Sequence, residues 1–450
     1  MDRRTEEALA VVSATTKQAR ENQERRARWS WVEPAVWTDR MLAALETGVQ
    51  GGQWFSLIDK VYSLPNLRSA FARVKANDGA AGVDQETVKA FASHEEANLE
   101  KLGGLLRAGK YRPQAVRRAW INKLGGKQKR PLGIPTVRDR VVQGAVRQVI
   151  EPIFERDFAE HSYGFRPQRG CKDALRQVDH LLNQGYSWVV DADLKSYFDT
   201  IPRERLQRLV QAKVRDGRVL ELIEAFLSQG VLEEMRYWTP EAGTPQGGVI
   251  SPLLSNIYLN PLDHLMVQEG IQMVRYADDF VLLCRTEVEA RAALEKVQTW
   301  TAAVGLQLHP EKTRIVDATQ PGGFDFLGYH FERGLRWPRI KSVQKLKDTL
   351  RGYTHRCNGH SLQVIIANVN RSLRGWFEYF KHSHRTTFAP LDGWVRMRLR
   401  SILRKRKGRR GRGRGLDHQR YPNRFFEERG LFSLSAAHAS ARQSLIEVNH

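Results

Sequence analysis

The stretch RYADDF, residues 275–280, decides how the rest of this sequence is interpreted. Apolar residues stand on both sides of it, at 273–274 and 280–283, which is typical of two short strands joined by a tight turn. Asp278 and Asp279 would then lie together at the rim of a hairpin. An isolated Asp-Asp pair is usually just a favourable turn sequence. The pair therefore gains a chemical meaning only from the rest of the chain.

A second acidic segment could meet this turn. Residues 188–190 are an apolar run that predicts a buried strand, and Asp191 and Asp193 follow at its exit. Nucleotidyl transfer builds negative charge on the reacting oxygens, and two divalent cations about 4 Å apart can stabilise that charge. Because Mg²⁺ prefers carboxylate oxygens, Asp193 could act with the pair at 278–279. Asp191 would face the same side of the strand and is a weaker candidate.

Two further segments could contact a nucleotide. Residues 243–248, GTPQGG, contain glycines that allow close backbone approach, and Gln246 can both donate and accept hydrogen bonds. A basic hairpin around residues 125–126 carries Lys123 and Arg130. Both could hold a triphosphate, Lys123 through its compact ammonium charge and Arg130 through its planar, two-pronged guanidinium. Taken alone, the first segment is only a turn and the second only a solvated basic surface.

Composition favours a nucleic-acid partner. The 450 residues carry 72 Lys+Arg against 50 Asp+Glu, a formal net charge of +22, and 41% are hydrophobic, enough for a sizeable core. A surplus of positive charge that large needs a polyanion or an anionic surface to offset it. No run of about 18 apolar residues is present, so a membrane partner is not expected.

Cysteine usage and the N-terminus predict a cytoplasmic protein. The three cysteines, Cys171, Cys284 and Cys357, are far apart and provide neither a disulfide framework nor a CxxC metal site. The N-terminus carries both charge signs with no apolar stretch behind it, so it does not predict a secretory signal.

The order of the motifs is more specific than any one of them. Along the chain stand RPLGIP (130–135) with DRVVQ (139–143), SYGFRP (162–167), the segment 193–199, GTPQGGVISPLL (243–254), YADD (276–279), GL (305–306) with EKT (311–313), and FLGY (326–329). This succession closely resembles the reverse transcriptases encoded by bacterial group II introns, over about residues 66–330. The stretch RSLRGWFEYF, residues 371–380, resembles the maturase, or thumb, segment of the same family.

The resemblance implies a fold and a catalytic centre. The fold would be an α+β right-hand polymerase with fingers, a palm containing an antiparallel sheet, a helical thumb and a basic C-terminal segment. Asp193, Asp278 and Asp279 match the catalytic carboxylates. Asp193 and Asp278 would be the principal ligands of two Mg²⁺ ions, with the carbonyl of Leu194, or less well that of Ala192, adding a further ligand. Asp279 would be supportive.

The resemblance also implies contacts to the substrates. Phe198 matches the position that stacks under the sugar and excludes a 2′-hydroxyl. Gln246 would lie near the incoming nucleotide, and Lys123 and Arg130 match residues at its phosphates, although one extra residue separates them here. Tyr276 would support the primer terminus.

Four regions follow from these matches. They are 1–60, an N-terminal extension without a counterpart whose tryptophans predict that it docks on something; 61–335, fingers and palm; 336–392, thumb or maturase domain; and 393–450, a basic nucleic-acid-binding segment. The residues expected to bind RNA are Arg371, Arg374, Arg404, Lys405 and Arg406. Residues 396–414 contain 11 basic residues and no acidic one, so a disordered tail that folds only on RNA is an equal alternative.

The implied activity is RNA-directed DNA polymerisation, a nucleotidyltransferase reaction in which a primer 3′-hydroxyl attacks the α-phosphate of a dNTP. The family also binds group II intron RNA and assists splicing and mobility by target-primed reverse transcription. No endonuclease motif is recognised, which resembles the endonuclease-lacking branch. The partners would be intron RNA, a DNA primer or target and dNTPs, in the bacterial cytoplasm and at the nucleoid.

Two other functions stay open. One is a domesticated bacterial reverse transcriptase in phage defence or CRISPR spacer acquisition. The other is a non-catalytic RNA-binding splicing cofactor, against which the clustered acids argue, because pure RNA binding gives no physical reason to bury them.

Overall fold

A computed structural model of the chain describes residues 20–49, 52–122, 129–233, 236–240, 242–244, 246–413 and 415–448. Lys123, which the sequence places at the triphosphate, lies outside these residues. Helices and largely antiparallel sheets share the chain, so the predicted α+β class is confirmed. In the part of the chain that the structure describes, no helix is both long enough and apolar enough to cross a membrane.

The fingers form a helical layer beside a β-hairpin. Their elements are α1 (Asp39–Thr47), α2 (Ile58–Val61), α3 (Leu64–Asn77), α4 (Val88–Ala92), α5 (Glu95–Arg107), β1 (Val116–Asn122), β2 (Lys129–Ile134) and α6 (Val137–Glu155). Helix α6 begins where the Thr136 hydroxyl accepts a hydrogen bond from the Asp139 amide. Its apolar residues recur every three to four positions and are buried, partly against α3.

The N-terminal extension docks on this layer, as its tryptophans predict. Residues 20–28 are helical. Trp37 is fully buried, and its indole nitrogen donates to the carbonyl of Gln148 on α6 at 3.0 Å. Trp54 forms a short parallel bridge with Val214. The described residues of the extension are therefore part of the same hydrophobic core as the fingers.

The palm is built around a four-stranded antiparallel sheet in the order β6-β7-β3-β8. Its strands are β3 (Trp188–Asp193), β6 (Gln272–Tyr276), β7 (Asp279–Cys284) and β8 (Arg314–Asp317). The helices around it are α7 (Cys171–Asn183), α8 (Tyr197–Thr200), α9 (Arg203–Gln211), α10 (Gly217–Leu227), α11 (Ser251–Gln268) and α12 (Glu287–Ala303). Strands β4 (Val231–Glu233) and β5 (Arg236–Trp238) extend the fingers hairpin in the order β2-β1-β4-β5.

The thumb follows a small sheet of β9 (Phe324–Phe326), β10 (Tyr329–Glu332) and β11 (Leu335–Pro338). Its helices are α13 (Ile340–Tyr353), α14 (Leu362–Phe380), α15 (Phe388–Arg406), α16 (Leu416–Arg420), α17 (Asn423–Glu427) and α18 (Leu434–Val448), with a 3₁₀ turn at Arg385–Thr387. One hydrophobic core joins α13 to residues as late as Leu434. The division expected at residues 392 and 393 falls inside α15, whose two halves both contribute to that core.

Tyrosines connect the thumb to the palm. The Tyr329 hydroxyl donates to the carbonyl of Tyr379 at 2.5 Å, and the Tyr379 hydroxyl donates to the carbonyl of Leu327 at 2.7 Å. Phe380 packs into the core beneath the palm sheet. The end of α14 is thus held against the strands that follow the palm.

Candidate active site

The two acidic segments meet on neighbouring strands. β3 pairs with β7 so that Asp193 stands directly opposite Asp279. β6 pairs with β7 so that Tyr276 stands opposite Asp279 on the other side, and Ala277 and Asp278 form the turn between these strands. Residues directly opposite each other in a sheet have Cβ atoms about 5 Å apart. The three aspartates predicted to be catalytic therefore cluster at one end of the palm sheet.

The turn depends on a glycine that lies against it. Ala277 has φ 60°, a conformation uncommon for a residue with a Cβ atom. Gly164 packs so closely that a Cβ atom there would come 2.2 Å from the Ala277 nitrogen. The Tyr163 amide donates to the Arg275 carbonyl at 2.8 Å, and the Arg275 amide donates to the His161 carbonyl at 3.0 Å. The segment before Gly164 therefore supports β6 and its turn.

A buried arginine holds the same turn from inside the palm. The side chains of Arg275 and Asp263 are fully buried and form an ion pair, in which Nε donates to Oδ1 at 2.7 Å. The guanidinium also donates to the Asn256 amide oxygen and the Ala277 carbonyl, each at 2.9 Å. Asn256 in turn donates to the Gly164 carbonyl at 2.8 Å. Asp263 and Asn256 had no place in the sequence analysis; the signal for them was polar residues on the otherwise apolar helix α11.

Burial and mutual repulsion make the aspartates hard to ionise. Burial is the main cause that raises the pKa of Asp278; the charge of Asp193 raises it further, and two arginines, one of them Arg130, partly offset this. Burial and then the charges of three neighbouring aspartates raise the pKa of Asp279 to about 7. A cation placed among these carboxylates would favour their ionised forms.

The donor set suits a magnesium site that substrate oxygens complete. Among the described residues, no three His, Cys, Asp or Glu side chains converge to enclose a metal ion. Mg²⁺ in phosphoryl-transfer sites is commonly held by one or two carboxylates together with phosphate and water oxygens. Asp193 and Asp278 supply two such carboxylates from paired strands. The bridge from Leu194 to Leu308 leaves the Leu194 carbonyl unused, because the accepting carbonyl there belongs to Asp193.

A lysine from a later motif already pairs with one of these carboxylates. Nζ of Lys312 lies 2.5 Å from Oδ2 of Asp193. The sequence analysis quoted the motif around Lys312 without giving this side chain a role. Arg314 donates to Asp191 at 3.2 Å, and burial is the main cause that raises the Asp191 pKa. Asp191 is therefore already paired with β8, in agreement with its lower rank as a metal ligand.

The described residues of the loop 243–248 lie between the fingers sheet and α8. The Gly133 amide on β2 donates to the Gln246 carbonyl at 2.6 Å, and the Thr244 amide donates to the Phe198 carbonyl at 2.7 Å. Two of the loop's glycines have φ values of 88° and 109°, and a Cβ atom at either would collide with neighbouring backbone. The glycines of this motif thus allow three segments to meet closely.

Phe198 and Gln246 are brought together by this packing. Phe198 is half-buried, and its ring lies edge-on to that of Tyr197 at 5.4 Å. The Tyr197 hydroxyl donates to the Ser255 carbonyl at 2.8 Å, which anchors α8 on α11. The Gln246 side chain donates to Asp199 at 3.2 Å.

Tyr276 and Arg130 also lie around the turn that carries Asp278. Tyr276 ends β6, and its ring centroid is 6.3 Å from that of Phe165. Burial, followed by the neighbouring Cys171, raises the pKa of Tyr276 to about 12. Arg130 is exposed on β2, near enough for its charge to act on Asp278.

Comparison with known proteins identifies the scaffold. The family described as reverse transcriptase (RNA-dependent DNA polymerase) matches residues 121–331, and the group II intron maturase-specific domain matches residues 343–421. Protein YkfC of Escherichia coli (strain K12) is 32% identical over 355 residues, which cover 70% of this chain and 88% of YkfC. The chain belongs to the group II intron reverse transcriptase and maturase family.

Other relatives match shorter parts. The group II intron-encoded protein LtrA of Lactococcus lactis subsp. cremoris is 41% identical over 201 residues, or 44% of this chain. The match spans 33% of the length of LtrA. A solved structure titled partial Cas6-RT-Cas1--Cas2 complex is similar over 55% of this chain and 42% of that chain, with 23% identity and a TM-score of 0.35.

In the maturase-specific region, α14 has two distinct faces. Arg371 and Arg374 are exposed, whereas Leu373 and Phe377 are buried in the thumb core. The Arg374 guanidinium lies 5.5 Å from the centroid of the Phe432 ring. An apolar inner face and a basic outer face thus coexist on this helix.

The basic residues at the end of α15 differ in environment. Nη1 of Arg404 lies 2.7 Å from Asp417, whose side chain is 2% exposed, so Arg404 serves the fold in this structure. Lys405 and Arg406 are exposed, and Arg406 donates to the His360 carbonyl. RNA binding stays a prediction for all three residues.

The first half of the basic tract 396–414 is not a disordered tail. It forms the end of α15, and Leu399 and Ile402 are buried in the thumb core. Arg400 is 2% exposed, and its guanidinium donates to the Tyr421 carbonyl at 2.8 Å.

Proposed function

We propose that this member of the family is an active RNA-directed DNA polymerase that also binds group II intron RNA and assists its splicing and mobility by target-primed reverse transcription. The observation that carries the polymerase function is the pairing of Asp193 with Asp279 across β3 and β7, with Asp278 at the adjoining turn. A binding protein without catalytic activity has no physical need for three crowded carboxylates whose ionisation burial opposes.

The reaction would join the primer O3′ to the α-phosphorus of a dNTP, break the bond from that phosphorus to the bridging oxygen, and release pyrophosphate. When bound, two Mg²⁺ ions would supply charge stabilisation at the attacking and leaving oxygens. Asp193 and Asp278 would hold them, with the Leu194 carbonyl as a further ligand. Asp279 would support the pair from β7, where it stands opposite Asp193.

The remaining site residues would orient the substrates. Arg130, and Lys123 outside the described residues, would bind the triphosphate. Phe198 would lie under the sugar and exclude a 2′-hydroxyl, and Gln246 would lie beside the nucleotide. Tyr276 would support the primer terminus. The packing of the 243–248 loop on β2 and α8 supports this arrangement, because hydrogen bonds join the segments that carry Arg130, Phe198 and Gln246.

Binding of intron RNA is supported by charge and by the family match. The formal net charge is +22, and the maturase-specific match includes Arg371, Arg374, Lys405 and Arg406, all exposed. These side chains could contact phosphates without disturbing the thumb core.

Primer extension tests the polymerase function. A labelled DNA primer on an RNA template, with dNTPs and Mg²⁺, should be extended by the wild type. Asp278→Ala should reduce the rate about a thousand-fold, which corresponds to about 4 kcal/mol of lost transition-state stabilisation. Asp279→Asn should reduce it less. Normal extension by Asp278→Ala would show that the site assignment is wrong.

A matched control lies on the same sheet. Asp317 on β8 is opposite Trp188, at the other end of β3 from Asp193. Asp317→Asn keeps the side-chain oxygen that accepts from the Thr319 amide and hydroxyl. Its extension rate should stay within about twofold of the wild type, because surface changes of this kind have small effects.

A further inference from the structure

A large cleft lies between the palm and the thumb. It has a volume of about 1010 Å³ and is lined by α7, the turn between β10 and β11, the end of α14, the 3₁₀ turn and α18. We call it the palm–thumb cleft. Its basic lining residues are Lys172, Arg176, Arg336, Lys381, Arg385 and Arg442. None of them belongs to the catalytic residues or to the residues expected to bind intron RNA.

The lining has little negative charge to balance these cations. Among the residues that the structure describes, Asp179 is the one acidic side chain that lines the cleft, and it is paired with Arg336 at 2.6 Å. Arg176 and Lys381 have acidic partners on their own helices, at 2.6 and 3.0 Å. Among the side chains that the structure describes, no carboxylate forms an ion pair with Lys172, Arg385 or Arg442. Three cations are thus available to an anion.

The positive field is strong enough to act on a neighbouring histidine. His382 lines the cleft. Burial is the main cause that lowers its pKa, and the charges of Arg336, Lys381 and Lys172 lower it further. His384 and His438 line the same space, and the pKa of His438 is lowered by burial and then by Arg442. Cations from the palm, the thumb and α18 therefore converge on one region.

Another cleft of similar size shows that this charge is not a general property of the surface. It has a volume of about 960 Å³ and is lined in part by Arg156, Asp157, Glu160 and Lys213. There Lys213 is paired with Asp157. Since acidic and basic side chains balance in that cleft, a large excess of cations is not shared by every cleft of this size.

The lining residues that α7 contributes, two of them cations, are spread along a line. Lys172, Arg176, Asp179 and Asn183 occupy successive turns of one face of α7. These positions span about 16 Å along the helix axis. The line starts beside Cys171, which neighbours Tyr276 of the catalytic hairpin. The palm–thumb cleft is therefore extended, and it leads away from the catalytic turn.

We propose that the palm–thumb cleft binds the phosphodiester backbone of a single nucleic-acid strand, at a site separate from the catalytic centre. A small anion would engage one end of the cleft, whereas a strand places phosphates along its whole length. Lys172, Arg385 and Arg442 supply the contacts, one each from α7, the 3₁₀ turn and α18. The binding does not depend on polymerase activity.

The test compares two triple variants of the full-length chain. In the first, Lys172→Gln, Arg385→Gln and Arg442→Gln remove the unpaired cations of the cleft. In the second, Arg73→Gln, Lys89→Gln and Lys101→Gln remove three exposed cations from α3, α4 and α5. Both lose the same charge, so a difference between them reports on position. Circular dichroism melts check folding, and Arg385→Gln alone serves if the first triple variant does not fold.

Fluorescence anisotropy with labelled single strands of about 20 nucleotides, over a series of KCl concentrations, gives the result. Each phosphate contact on a single strand contributes about −0.7 to the slope of log K against log[salt]. The cleft variant should bind at least about tenfold more weakly at low salt and lose about 2 from the magnitude of that slope, or about 0.7 for Arg385→Gln. The control should keep the wild-type slope. Equal slopes for the two triple variants would overturn the proposal.

Separate arms identify the source of the phosphates. RNA and DNA of the same sequence are compared: a preference names the strand, and equal affinity indicates recognition through phosphates alone, so either result supports the proposal. Calorimetry with inorganic tripolyphosphate is the third arm. If tripolyphosphate binds the wild type as tightly as the strands do, and the cleft variant loses that binding, the cleft is a small-anion site and the proposal fails.

Discussion

Asp278 stands at the tip of a turn that other residues shape. Ala277 has a positive φ, which costs energy for a residue with a Cβ atom, and such strain persists only where the surroundings impose it. On one side of the turn, the backbone of Gly164 packs directly against Ala277. On the other side, the buried guanidinium of Arg275 donates a hydrogen bond to the Ala277 carbonyl. The orientation of the Asp278 carboxylate thus depends on residues that need not contact substrate.

Gly164→Ala tests this dependence. The added Cβ atom would lie 2.2 Å from the Ala277 nitrogen, so the turn must move. Because a displacement of about 1 Å at a reacting group can cost about a hundred-fold in rate, we expect extension to fall by about 10- to 100-fold. The measurement is the single-nucleotide extension rate, with the melting temperature measured beside it.

The control for this change is Gly170→Ala. Gly170 caps α7, has a φ of −147°, and a Cβ atom there meets only the Asp173 carboxylate at 3.8 Å. Its extension rate should stay near that of the wild type. Equal rates for the two variants would mean that Gly164 does not position the turn.

Single residues also show what the sequence could and could not predict. The meeting of Asp193 and Asp278 at one end of the palm sheet was predicted, because the chemistry of the reaction and the order of the motifs both select these residues. Asp263 was missed, since an acidic residue on an apolar helix has the same local pattern whether it faces solvent or a buried arginine. Lys312 was quoted in a motif, but its contact with Asp193 depends on where the chain folds back 119 residues later.

At the scale of elements, a basic composition does not determine the role of each basic residue. The end of α15 combines a buried apolar face with consecutive basic residues. Asp417 on α16 is buried and paired with Arg404, while Lys405, the next residue, is exposed. Composition could predict that this helix is basic, but only the packing of α16 against it decides which side chain is committed to the fold.

Arg404→Gln and Lys405→Gln should therefore affect different properties of the protein. Arg404→Gln leaves the buried Asp417 without its cation and should lower the free energy of unfolding by about 1–3 kcal/mol. Lys405→Gln should leave stability unchanged within about 0.5 kcal/mol but weaken RNA binding and reduce its salt dependence. Urea unfolding and RNA anisotropy measure the two quantities. A stability loss in Lys405→Gln as large as that in Arg404→Gln would contradict this distinction.

Element boundaries were the least predictable feature of the fold. The hairpin of β6 and β7 and the helix α6 follow directly from apolar spacing and turn residues, and both form as expected. The change of composition near residue 393 predicted a boundary, yet α15 crosses it, because the apolar positions of the helix continue through the basic tract. Tertiary packing thus overrides a shift in charge when the helical periodicity persists.

At the scale of the whole molecule, the clustered aspartates and the exposed cations lie in different places. The aspartates that oppose one another's ionisation lie at one end of the palm sheet. The exposed cations proposed to bind nucleic acid lie on the outer face of α14, at the end of α15 and in the palm–thumb cleft. Removing one buried carboxylate changes the net charge of +22 by a single unit. Chemistry and RNA binding should therefore be separable.

Asp278→Ala should separate them in one protein. The substituted side chain lies in the catalytic cluster, so extension of a primer should be lost, whereas the outer faces of α14 and α15 are untouched. We expect the dissociation constant for intron RNA to match that of the wild type within about twofold. The slope of its logarithm against log[KCl] should match within about 0.5, since the number of phosphate contacts is unchanged. Splicing of a cognate intron, followed by gel electrophoresis of the RNA, should proceed at the wild-type rate. Loss of splicing together with retained RNA binding would show that the cluster of Asp193, Asp278 and Asp279 takes part in the maturase function. Loss of both binding and splicing in a variant that still melts like the wild type would show that intron RNA is held at the catalytic end of the palm rather than by the thumb.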